Sequence, residues 1–163
     1  MIEIDPTAKV SPLADVEDSV RGTRIVIGPL AVIDSFVKIK PAGGTGDVVI
    51  GEGSHVNSGT VIYTGNGVTI GKGVLIAANC TLASTNHAFA RASVPITRQG
   101  FAPSRGGILI EDDAWIGANC VLLDGAIIRR GAVVAAGSVV REELGAHGIY
   151  GGNPLRQLGQ RSG

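Results

Sequence analysis

The 163-residue chain is poor in rings and balanced in charge, and each shortage narrows what it can be. Aromatic residues make up 4% of it, which fits a core too narrow to hold rings. Lysine plus arginine equals aspartate plus glutamate at 14 each, so the charge lacks the basic excess that marks a nucleic-acid binder. No apolar stretch approaches the roughly 18 residues that a membrane helix needs; the one around Gly131 to Val140 is far shorter. The opening residues, Met1-Ile2-Glu3-Ile4-Asp5, are acidic and lack a signal-peptide pattern, so a cytoplasmic protein is expected. The three histidines, His55, His87 and His147, include no close pair of the kind a three-histidine metal site uses, and no metal is expected. The 3.6-residue period of a helix is missing too.

A six-residue period takes its place. Hydrophobic anchors fall in six triplets: Ile4, Val10, Val16; Ile27, Ile33, Ile39; Ile50, Val56, Ile62; Ile70, Ile76, Leu82; Ile110, Ile116, Leu122; Ile128, Val134, Val140. Four residues after the first two anchors of each triplet stands a small or β-branched residue, from Ala8 and Ala14 to Ala132 and Ser138. Alternate residues of a strand share a face, so the anchor and the small residue two positions before the next anchor both point inward. The pattern predicts short parallel strands stacked into a three-sided solenoid of six coils. Gly28, Gly51, Gly71 and Gly117 each follow an anchor, as expected where the chain turns sharply or packs without a Cβ. Cys80 and Cys120 hold equivalent places in consecutive coils and should stack as small inward hydrophobes rather than act as nucleophiles.

The spacing between triplets varies only after the third step. Every insertion therefore emerges along one edge of the prism, the arrangement in which inserts often form a binding face. The longest runs from Ala83 to Leu109 and contains Asn86-His87-Ala88-Phe89. A loop of that length in a compact repeat is usually functional or disordered. It holds Arg91, Arg98 and Arg105 and no acid, so it either meets an anionic ligand or carries ordinary solvated charge. Phe89 and Phe101 are expected to pin it to the prism, with Pro95 and Pro103 restricting it further.

The isoleucine-rich hexapeptides, the loop NHAF…PITRQG, the segment EDDAWIGAN, the later VVAAGSVV and the tail GGNPLR together resemble the left-handed β-helix acyltransferases, in particular bacterial sugar O-acetyltransferases. The resemblance covers nearly the whole chain and implies a left-handed parallel β-helix over residues 1–143, interrupted by the insertion 83–109 and closed by a C-terminal cap over 144–163. It implies acetyl-CoA as co-substrate, a sugar-type acceptor and a homotrimer with each site between two chains. It also implies His87 as general base for direct transfer, a role that suits imidazole near neutral pH. The Ala118 N–H matches the oxyanion donor, Asn86 and Trp115 the substrate contacts, and Ala136, Gly137, Arg141 and Arg156 the coenzyme contacts. Where relatives carry a small residue after the tail proline, this chain has Leu155. With Leu144, Ile149, Tyr150 and Leu158, that leucine is expected to cap the open end, whose unpaired strand edge needs cover. Acetylation of an amino-sugar nitrogen and a non-catalytic solenoid subunit are the alternatives.

Overall fold

A computed structural model describes residues 1–163. Three parallel sheets form the sides of a prism. The first face stacks Ile2–Ile4, Ile25–Ile27, Val48–Ile50, Val68–Ile70, Ile108–Ile110, Ile127–Ile128 and Glu143–Leu144. The second runs from Lys9–Val10 through Trp115–Ile116 and Val133–Val134 to Gly148–Gly151, where Arg156–Gln160 adds an antiparallel strand. The third stacks Asp15–Val16, Lys38–Lys40, Val61–Tyr63, Thr81–Ala83, Val121–Leu123 and Val139–Val140. The hand is left, against the usual preference for right-handed parallel crossovers.

Register explains why the six-residue period has these consequences. Ile27 pairs Ile50, Ile50 pairs Ile70 and Ile70 pairs Ile110, so like anchors sit over one another and form a continuous apolar column. Ile33, Ile39, Ile62, Ile76, Leu82, Ile116 and Leu122 are fully buried, and the small residues Ala31, Val74, Cys80, Ala114 and Cys120 complete the core between them. The first triplet differs: Ile4 is 46% exposed, because only one neighbouring coil covers it. A seventh rung extends the six expected ones, since Glu143–Leu144 and Gly148–Gly151 continue the first two faces. The segment expected to be only a cap is thus partly solenoid. Leu144 is buried and Tyr150 and Leu155 pack on the core, whereas Leu158 is 63% exposed and lies against Gly151 of the adjoining strand rather than over the core.

The glycines after the anchors serve close approach and not a left-handed turn. A Cβ at Gly51 would stand 2.3 Å from the Gly71 carbonyl oxygen, and one at Gly117 would stand 2.5 Å from the Ala136 nitrogen. The positive φ angles fall two residues further on, as at Gly53 and Gly73.

Candidate functional site

The residue after the third anchor of each coil points outward along the edge that carries the insertions. Strand register places Lys40, Tyr63, Ala83 and Leu123 in one column, and Arg141, directly after Val140, continues it. Ala83 is the smallest member. Its methyl leaves a notch between Tyr63 and Leu123, and the long loop begins there and brings His87 over it.

The loop is well braced. The limb at Asn86 to Ala88 lies antiparallel to Gly100 to Ala102, with Ala88 N–H donating to Gly100 O at 2.9 Å and Ala102 N–H to Asn86 O at 2.8 Å. The Gln99 side chain ties the outer bend, its amide donating to Arg91 O and Val94 O while its oxygen accepts from the Arg91 N–H. The return limb is fixed by Asp124, a carboxylate only 1% exposed. It accepts from the Arg105 N–H and the Gly107 N–H, each at 2.8 Å, and from the Asn66 amide at 3.1 Å. These polar contacts do the work expected of the phenylalanines. Phe89 is 72% exposed and pins nothing, and Phe101 packs on the His87 imidazole with ring centroids 4.9 Å apart.

His87 is exposed and separates two clefts. The larger, about 640 Å³, is lined by Asn86, His87, Phe89, Arg105, Leu123 and Arg141 among others. The smaller, about 330 Å³, is lined by Gly43, Tyr63, Ala83, Thr85, His87 and Phe101 among others. His87 is the one residue that lines both. Two guanidinium groups converge on the first cleft, which therefore suits an anionic ligand; the wall of the second holds no carboxylate, ammonium or guanidinium.

The remaining residues singled out from the sequence lie elsewhere on this chain. Trp115, 52% exposed, stands on the second face between Leu75 and Val133. Ala118 and the pair Ala136 and Gly137 occupy the turns joining the second and third faces, across the prism from the inserts. Gly137 N–H is spent on Ala118 O at 2.8 Å, while the Ala118 and Ala136 N–H groups have no acceptor within the chain. Arg156 lines a separate small cleft with Glu142 and Glu143 and donates to Leu155 O. Arg91 and Arg98 are exposed and line neither His87 cleft. Cys80 and Cys120 are buried, their thiols donating to Gly117 O at 3.2 Å and Ala135 O at 3.1 Å. No group of three or more His, Cys, Asp or Glu side chains is arranged to hold a metal ion, and no helix is long and apolar enough to cross a membrane. Asp124, Tyr63 and Leu123 were missed as site residues, although the column to which Tyr63 and Leu123 belong follows directly from the repeat.

Residues 107–142 match the bacterial transferase hexapeptide (six repeats) family. The 2,3,4,5-tetrahydropyridine-2,6-dicarboxylate N-acetyltransferase of Staphylococcus aureus is 42% identical over 60 residues, 37% of this chain and 25% of that protein. The chain thus spans about a quarter of the length of the curated relatives it matches, 25%. Among solved structures, a variant of AntD, an N-acyltransferase from Bacillus cereus, in complex with dTDP-4-amino-4,6-dideoxyglucose and coenzyme A, superposes with a TM-score of 0.82 at 23% identity, covering 99% of this chain and 84% of that one. A hexapeptide-repeat-containing acetyltransferase from Vibrio cholerae, complexed with acetyl coenzyme A, gives a TM-score of 0.72 at 28% identity over 84% of this chain and 71% of its own.

Proposed function

We propose that the chain, a left-handed parallel β-helix whose residues 107–142 match the hexapeptide transferase repeat, transfers an acetyl group from acetyl-CoA to a hydroxyl of a sugar-type acceptor. The observation that carries this reading is the position of His87, an exposed imidazole between an arginine-lined cleft and an uncharged one. Acetyl-CoA, with its phosphates, takes the cleft of Arg105 and Arg141. Arg156 is assigned to a coenzyme phosphate on the family resemblance alone, since it lines a separate cleft beside Glu142 and Glu143.

In the proposed reaction a His87 ring nitrogen accepts the proton of the acceptor hydroxyl as that oxygen attacks the thioester carbon. The carbonyl oxygen becomes the oxyanion, for which the uncommitted Ala118 N–H is the donor. Collapse breaks the carbon–sulfur bond, and the departing thiolate takes the proton back from the imidazolium. No acyl-enzyme forms.

His87 and Ala118 lie on different edges of one chain, so a complete site needs a second copy. A homotrimer supplies it, with the loop of one chain set against the Trp115, Ala118 and Ala136 corner of the next, Asn86 and Trp115 contacting substrate there. The apolar outward column of Leu75, Trp115, Val133 and Ile149, exposed or half-buried in the isolated chain, supports burial against a partner. Acetylation of a nitrogen is the second reading, favoured by the names of the Staphylococcus aureus and Bacillus cereus relatives, both N-acyl transferases.

The test follows thiol release from acetyl-CoA with sugars, amino sugars and their nucleotide-linked forms. His87→Ala is expected to lower turnover by about 100-fold or more while acetyl-CoA affinity holds, as for loss of a general base. Turnover retained by the variant refutes the base assignment.

A further inference from the structure

The smaller cleft carries a statement about the acceptor itself, and it rests on the transfer reaction proposed above. Three features shape it. Gly43 has φ +82°, and a Cβ there would stand 2.4 Å from the Thr85 Cγ2, so this wall admits no larger residue. Ala83 keeps the floor open between Tyr63 and the histidine loop. Tyr63 and Phe101 supply two aromatic rings, and the Phe101 ring holds His87 in place.

The chemistry of the lining is selective. The Tyr63 phenol, the Thr85 hydroxyl and the Gly43 carbonyl offer hydrogen bonds, and Thr85 Oγ1 spends its own only on a long 3.4 Å contact to that carbonyl. An acceptor bearing an ammonium would lose water there and find no carboxylate from this chain. One bearing a carboxylate would find no lysine or arginine in this wall. An unpaired charge moved out of water is disfavoured, while a hydroxyl-bearing ring with an apolar face loses little.

We propose that the cleft between Tyr63 and Phe101 is the acceptor site and that it selects a sugar ring carrying no charge, with Tyr63 as the specificity-determining residue. The ring lies against Tyr63, its reacting hydroxyl faces His87 from one side, and the thioester arrives from the arginine side. The single imidazole bordering both clefts meets the nucleophile and the leaving sulfur in turn.

Calorimetric titration of the whole protein, saturated with coenzyme A, tests this with three matched ligands: phenyl β-glucoside, phenyl β-glucosaminide and phenyl β-glucuronide. Wild type is expected to bind the glucoside about 5-fold or more tightly than either charged analogue. Tyr63→Ala weakens glucoside binding by about 3- to 10-fold, the scale of one lost ring contact, and Tyr63→Phe largely restores it. Tyr63→Glu shifts the preference to the glucosaminide. Coenzyme A affinity and melting temperature stay at wild-type values in all three variants, because Tyr63 is half-buried on the outer face and lies outside the arginine cleft. Equal or tighter binding of a charged analogue by wild type, binding of none of the three, or indifference to Tyr63→Ala overturns the inference. Failure of wild type to bind coenzyme A, with the glucoside still bound, overturns the transferase reading instead.

Discussion

Replacing Asp124 by alanine isolates what holds the His87 loop. The carboxylate receives three donors, but they are unequal. Arg105 is exposed and Asn66 half-buried, so both regain water when the acceptor goes; the Gly107 N–H is buried and loses its partner outright. A hydrogen bond to an ionised acceptor contributes about 1.5–3 kcal/mol, and stranding a buried donor costs about 1–3 kcal/mol. Part of this is offset because a carboxylate no longer has to be desolvated, leaving a net loss of about 2–3 kcal/mol. For a domain of this size, that lowers the melting temperature by about 4–12 °C. Asp124→Asn falls between, since its amide group must turn an N–H toward one of the donors. Thermal unfolding by circular dichroism reads the total, and amide hydrogen exchange reads the location: Arg105 and Gly107 should exchange faster while Ile50 and Ile70 in the core do not. An unchanged melting temperature with unchanged protection at Gly107 would show that the loop is held by something else.

Two further outcomes follow from particular contacts. Gly51→Ala places a methyl 2.3 Å from the Gly71 carbonyl oxygen and should destabilise by about 1–3 kcal/mol, the range for overpacking, with wild-type or higher melting temperature refuting the close-approach role. Arg141→Ala should weaken acetyl-CoA binding by about 1–3 kcal/mol with stability retained, and calorimetry showing equal affinity would remove Arg141 from the cofactor cleft.

The core was legible because one rule fixes it: an anchor every sixth residue gives three faces, and stacking like on like buries the columns from Ile27 onward. His87 was legible as a loop residue, and its neighbours Asn86 and Arg141 share its cleft. Tyr63 and Leu123 were equally within reach, since each directly follows a third anchor, as Lys40, Ala83 and Arg141 do. They were passed over because an apolar or aromatic residue in a repeat is first counted as packing. Asp124 was not legible by type alone. An acid at an inward corner becomes meaningful only when the donors of Arg105 and Gly107, far away along the loop, fold back onto it. The phenylalanines misled for the complementary reason: an aromatic side chain in a polar loop suggests an anchor, yet backbone donors and Gln99 do the anchoring. Trp115, Ala118, Ala136 and Arg156 lie outside the His87 clefts, on other parts of the same chain, and no spacing in the sequence shows that separation.

The uninterrupted register beneath the long insert also bears on how such an edge can change. The chain leaves the third face at Ala83 and resumes the first at Ile108, yet Val68 and Ile108 still pair directly. The shorter segments 17–24, 41–47 and 64–67 leave and return at the same joint. The end-to-end gap is therefore set by the coil and is independent of the length inserted. Closure entropy rises only logarithmically with length, about 0.6 kcal/mol per doubling, so lengthening one insert is a small thermodynamic step that the apolar columns need not accommodate. Each cleft beside His87 has such a segment as part of its wall. The part of each wall that the inserts supply can therefore change while the stacked columns beneath stay as they are, and the ligand preference of this scaffold is free to diverge as long as anchors such as Asp124 are kept.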